Sequence, residues 1–138
     1  MAEALILDSE ALNALAHATD RGVLADRARA IMRLALERRA LVRAPAPVLA
    51  EVCRGPRFDA PVERVLAGRG IVVVELTRRI AQRAGYLLAR SKLPSVHAVD
   101  AFVVATALEF DASVIATGDP KDVRRLAASS KQVRIFPI

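Results

Sequence analysis

The 138 residues carry 21 Lys and Arg against 15 Asp and Glu, a formal net charge of +6, and 54% of them are hydrophobic. That apolar content suffices for one full-sized core, so a single domain over residues 1–138 is expected, without disulfides or structural zinc. The lone Cys53 excludes an intrachain disulfide, and the opening MAEALILDSEAL lacks the basic stretch of a secretory leader.

No apolar run is long enough to span a bilayer, so a cytoplasmic protein with no membrane contact is expected. The positive balance suits a polyanion such as nucleic acid, which binds through Lys and Arg displacing counterions; an arginine-rich solvated surface accounts for it equally well. Aromatic residues are only 4%, with no Trp and a single Tyr86. That argues against a base-stacking platform for single strands.

In chain order, short β-type runs alternate with helical segments, and no repeat or low-complexity tract interrupts them. ALIL (Ala4 to Leu7) reads as a strand ending at Asp8, followed by a helix from Ser9 to about His17. Leu24, Ala28, Ile31 and Ala35 recur at helical spacing and predict a helix to about Arg39. LVRA (Leu41 to Ala44) is a short strand stopped by Pro45, and Pro47 can open a helix over VLAEV. Arg54 to Gly70 reads as loop-rich, with a small helix near Val62 to Leu66. IVVVEL (Ile71 to Leu76) reads as the clearest buried strand. Ile80, Ala84 and Leu87 stripe the next helix, which stops before Pro94. A further apolar helix runs from about His97 to Phe110, then strand SVIAT, a helix from Pro120 and a closing strand VRIF. Five strands separated by helices, joined by right-handed crossovers, predict a mostly parallel sheet in an α/β/α sandwich. Ligands of such sheets sit outside the carboxyl ends of the strands.

Four acids stand out against that frame. Asp8 and Asp119 follow the strands ALIL and SVIAT; capping of the next helix accounts for each singly, since Asp is a preferred cap and Pro120 opens a helix. Glu51 in PVLAEV and Asp100 in VHAVDAFVVATAL lie among apolar neighbours, where an ionised carboxylate is costly unless paired. A buried salt bridge to an arginine is the alternative there. Taken together, the four reach one sheet edge. Carboxylates that share a cavity repel one another unless a cation neutralises them, and an all-oxygen donor set suits Mg²⁺ or Mn²⁺. Such a cation activates water and neutralises a phosphodiester oxygen, which fits a phosphate polymer as substrate.

Other candidates are weaker. Cys53 reads as a core thiol, His17 as a capping or surface residue, and His97 as a neighbour able to hydrogen-bond Asp100, one turn away. Ser9 and Thr117 place hydroxyls beside the acids. Gly68-Arg69-Gly70 precedes a strand, so it is a turn and not a phosphate loop.

LILDSEALNAL, APVLAEVCRG, HAVDAFVVATAL and VIATGDPKDVRRLA, in this order and spacing, resemble the PIN-domain toxins of bacterial VapBC systems over almost the whole chain. The resemblance implies an α/β/α sandwich and a metal-dependent endoribonuclease, cutting tRNA or other structured RNA. Its metal-binding acids fall on Asp8, Glu51, Asp100 and Asp119, with Asp122 an occasional helper. It further implies a homodimer and silencing by a small VapB-like antitoxin. The rival function is a catalytically inactive RNA- or protein-binding module of the same fold, against which the retention of all four acids argues. A receiver-like phosphoacceptor fails, because IVVVEL ends in Leu76-Thr77 with no Asp to phosphorylate.

Overall fold

A computed structural model describes residues 3–128 and 130–138, with backbone only for Asp20 and Arg21. Five strands form one all-parallel sheet: β1 (Ala4–Leu7), β2 (Leu41–Pro45), β3 (Val72–Val74), β4 (Ser113–Thr117) and β5 (Val133–Pro137), in the order β3-β2-β1-β4-β5. The helices are α1 (Ser9–Ala16), α2 (Ala18–Arg21), α3 (Val23–Glu37), α4 (Leu49–Val52), α5 (Pro56–Gly68), α6 (Arg78–Ser91), α7 (Ala98–Ala107) and α8 (Pro120–Ala127). Short 3-10 turns at Ala46–Val48 and Ser95–His97 lead into α4 and α7.

The chain steps outward from β1 to β3, then crosses back to β4 and β5. Right-handed crossovers in opposite directions put successive helices on opposite faces. Accordingly α1 packs against α3 and α5, while α6, α7 and α8 pack against one another. β1 lies at the centre and all four of its side chains are buried, which is why ALIL is apolar throughout instead of alternating. The core around it is aliphatic: Leu5, Ile6, Leu7, Leu12, Met32, Val103, Val104 and Ile115 are essentially fully enclosed.

Two expectations change. IVVVEL is not the most buried strand but an edge strand of three residues, with Val72 50% exposed and Ile71, just before it, buried. A run of Val carries no period from which to distinguish an edge from a centre; only the strand order does. The segment 54–70 is not loop-rich either, because α5 spans thirteen residues of it. Pro56 occupies the first helical position, where its missing N–H goes unneeded, and the Gly55 N–H donates to Asp59 Oδ1 at 3.2 Å. Pro61 forgoes one helical bond, but the adjacent Val62 is fully buried and holds the helix against α1.

Candidate active site

The strand order reverses between β1 and β4, and that switch point creates the crevice in which doubly wound sheets bind ligands. The register pairs Leu7 with Ala116, so Asp8 and the Thr117-Gly118-Asp119 segment leave the sheet side by side. Asp8, Ser9, Glu10, Asn13, Glu51, Val52, Asp100 and Asp119 line one cleft of about 290 Å³ there. All four acids singled out from the sequence are therefore brought together. Asp8 comes from the end of β1, Glu51 from α4, Asp100 from the first turn of α7, and Asp119 from the entry to α8.

Asp8 is both a helix cap and part of the cleft. Its Oδ1 accepts the Ala11 N–H at 2.8 Å, while Oδ2 accepts the Gly118 N–H at 3.1 Å. Only 5% exposed, its carboxyl has a raised pKa: burial is the main cause, opposed by bonds from the Thr117 hydroxyl, Ala11 and Gly118. Thr117 is fully buried, and its hydroxyl also accepts the Asp119 N–H at 2.9 Å. Gly118 is needed for a steric reason. A Cβ there would lie 2.6 Å from Glu10 Cγ and 2.7 Å from Glu10 Cβ.

The capping account fails for Asp119, whose side chain makes no capping bond to α8. The salt-bridge account fails for Glu51 and Asp100, since among the described residues neither forms an ion pair with an arginine. Glu51 is exposed in the cleft, where the Ser9 hydroxyl donates a hydrogen bond to its Oε1. Asp100 is half-buried and its pKa is pushed up to about 7, first by burial and then by the charges of Asp119, Asp8, Glu51 and Asp122. A carboxyl that clings to its proton because it is buried and has four other carboxylates nearby is a group a divalent cation would relieve. The donors are oxygens, and the lining offers no cysteine, so the set fits a hard cation such as Mg²⁺ or Mn²⁺. Asp8, Glu51, Asp100 and Asp119 are the residues able to hold it.

Other residues fall differently from expectation. His97 contacts not Asp100 but Asp122, Nδ1 to Oδ2 at 3.3 Å. Asn13, which the sequence gave no reason to notice, lines the cleft one turn beyond Ser9; its only signal was helical spacing from Asp8 and Ser9. His17 ends α1 with its ring edge-on to Phe58 at 5.9 Å, and its Nε2 is buried without a hydrogen-bond partner among the described residues. Cys53 lies outside the cleft lining, its thiol pKa raised by burial and then by Asp59 and Glu63. A larger hollow of about 550 Å³ between α6 and the ends of α7 and α8 holds no carboxylate. Its Arg83 and Arg90 donate to the Leu108 and Leu126 carbonyls near the ends of α7 and α8.

The sheet and its acidic cleft thus define an α/β domain with a carboxylate site at the topological switch point. The PIN domain family matches residues 5–128, and the chain belongs to that family. No curated protein sequence matches it significantly. Among solved structures, it is similar to a chain of VapBC2 from Rickettsia felis, solved bound to a DNA fragment from their promoter. The TM-score is 0.64 at 10% identity, covering 97% of this chain and 98% of that one. That likeness is one of fold. No helix of the described residues is long and apolar enough to cross a membrane.

Proposed function

We propose that residues 1–138 form a single nuclease domain, a Mg²⁺- or Mn²⁺-dependent endoribonuclease that acts as the VapC-like toxin of a toxin–antitoxin pair. The observation that carries this reading is the cleft itself. Four carboxylates from four separate elements meet at the switch point without arginine partners among the described residues, in a chain whose net charge is +6. The PIN-family match and the fold shared with VapBC2 support the toxin reading.

When bound, the cation supplies the acidity that makes water nucleophilic and offsets charge on the phosphodiester. The side chains divide the remaining work. Asp8 is the fixed ligand, locked by Ala11, Gly118 and Thr117. Glu51 is the adjustable one, exposed and steered by Ser9. Asp100, whose carboxyl holds its proton up to about 7, would give it up on taking a cation, and Asp119 would complete the donor set from the α8 side. Arg54, whose Nε donates to the Glu51 carbonyl at 3.3 Å, and the exposed Arg57 can grip an RNA backbone. Structured RNA such as tRNA is the proposed substrate class. A VapB-like antitoxin and a second copy of the chain are the proposed partners in the cytoplasm.

The test is incubation of purified, antitoxin-free protein with total cellular RNA in Mg²⁺ or Mn²⁺, in EDTA, and with Asp8→Ala as the contamination control. Discrete fragments that need the cation and vanish in the variant are expected. Fragmentation that survives both EDTA and the substitution overturns the assignment.

A further inference from the structure

The cleft is lined by carboxylates and by no Lys or Arg, so on its own it repels a phosphate polymer. Affinity for such a polymer comes from cations that replace its counterions, and these must stand elsewhere on the chain. The hollow of about 550 Å³ against α6 has the opposite character. In α6, Arg79, Arg83, Tyr86 and Arg90 recur at spacings of four, three and four, one stripe beside the buried Ile80, Ala84 and Leu87. Arg83, Tyr86 and Arg90 of that stripe line the hollow, and Lys131, just before β5, adds a third cation. No carboxylate lines it, and the buried Leu87 and Leu126 give it an apolar side.

We propose that this hollow is a docking groove for the sugar-phosphate backbone of folded RNA, remote from the cleft, and that it supplies affinity the acidic cleft does not. The inference rests on the ribonuclease reading for the identity of the polyanion. Its cations are held in place. Arg83 Nη1 donates to the Leu108 carbonyl at 3.4 Å and Arg90 Nη2 to the Leu126 carbonyl at 2.9 Å. A carbonyl fixes a guanidinium without neutralising it, so less side-chain entropy is lost when a phosphate docks. Glu109 offsets only part of the charge, because Arg79 and Arg83 share it at 3.3 and 3.5 Å. Gln132 Nε2 donates to the Phe110 carbonyl at 2.6 Å and so steadies the segment that carries Lys131. Tyr86 is 66% exposed, and its ring can stack on one base or ribose beside the gripped phosphates. A single ring is no platform for a single strand, which points to folded RNA. The hollow lies toward the amino ends of β4 and β5, where the Ser113 N–H donates to the Gln132 carbonyl at 2.9 Å. The cleft lies at the carboxyl ends, so the two are separated by roughly 16 Å, the length of the five-residue β4. A folded RNA is large enough to touch both.

The test is a titration of tRNA into the antitoxin-free protein in EDTA, so that binding is read without metal-dependent cleavage. Affinity is measured against salt concentration for the unsubstituted chain, Lys131→Gln and Arg83→Gln. The sequence holds a single tyrosine, so protein labelled with ¹³C only in tyrosine gives one ring signal, and that signal reports Tyr86. Expected are a displaced ring signal on adding tRNA and an affinity that falls with salt. Each substitution lowers the slope of log affinity against log salt by roughly 1, the share of one phosphate contact. Lys131 is exposed and makes no ion pair among the described residues, so its variant tests the groove even where Arg83→Gln disturbs the end of α7. An unchanged slope in Lys131→Gln, or a ring signal that tRNA does not move, overturns the inference and leaves the nuclease reading standing. A signal moved by polyglutamate and not by tRNA also overturns it, and assigns the groove to an acidic protein partner. No binding of tRNA by the unsubstituted chain at low salt overturns both.

Discussion

Replacing Asp100 with Asn should stabilise the cation-free protein at neutral and alkaline pH. In the unfolded chain its carboxyl titrates near the ordinary value of 3.8, but in the folded protein it holds its proton to about pH 7. Below pH 3.8 it is neutral in both states and costs nothing. Between 3.8 and 7 the unfolded chain releases the proton and the folded chain does not, so stability falls as pH rises. Above 7 the whole penalty is present. At full value the difference corresponds to about 4 kcal/mol, and screening of this half-buried group reduces it to roughly 2 kcal/mol. Asn keeps the shape and removes the charge. In EDTA at pH 8, Asp100→Asn should therefore melt roughly 6 °C above the unsubstituted protein, given the size of the domain. At pH 4 the two should nearly coincide. Urea denaturation followed by circular dichroism at both pH values measures this. A variant that is less stable at pH 8 would refute the reasoning, because it would mean that the charge of Asp100 is compensated by a partner within the fold.

Other perturbations probe neighbouring parts of the site. Mg²⁺ or Mn²⁺ at a hundred times its dissociation constant should stabilise the protein by about 2.7 kcal/mol; an unchanged melting temperature in millimolar Mn²⁺, or an equal rise in Asp8→Ala, counts against the shared site. Thr117→Val removes the hydroxyl that serves both Asp8 and the Asp119 N–H, and should cost about 1–3 kcal/mol in urea denaturation. An unaltered midpoint would show the hydroxyl to be dispensable. Gly118→Ala drives a methyl into Glu10 and should destabilise by roughly 1–3 kcal/mol. The thermal transition checks this, and a variant as stable as its parent contradicts the close approach.

How much of this could be read from the sequence depended on how local the signal was. β1 and β4 were legible as short apolar runs, and α1 and α8 because Asp8 and Pro120 open them. The four acids were legible because a carboxylate at a strand end or among apolar neighbours demands an account. Their placement at one sheet edge followed from the parallel sheet that alternating βα units imply, which puts every strand's carboxyl end on the same side. What stayed hidden was non-local. Val72 shows no trace in its own neighbours of lying on an edge strand. The helix through Pro56 and Pro61 depends on Val62 docking against α1, and proline-rich composition argues for a loop until that contact is known. His97 was read against Asp100, its sequence neighbour, yet it contacts Asp122 across two helices. Asp8 carried two competing readings, and the cap alone does not decide between them, since one oxygen caps α1 while the other accepts the Gly118 N–H at the cleft.

The most direct test of the central claim is the rate at which the purified protein cleaves one of its own RNA targets in Mn²⁺, compared between the unsubstituted chain and Asp8→Asn. The substitution preserves shape while removing the charge of the best-ordered acid. A loss of cleavage to the level of the EDTA control, with the fold intact by circular dichroism, is the predicted result. Undiminished cleavage by Asp8→Asn, or none by either protein with Mn²⁺ bound, would contradict a four-carboxylate hydrolytic site; the second outcome would leave a binding module built on the same fold.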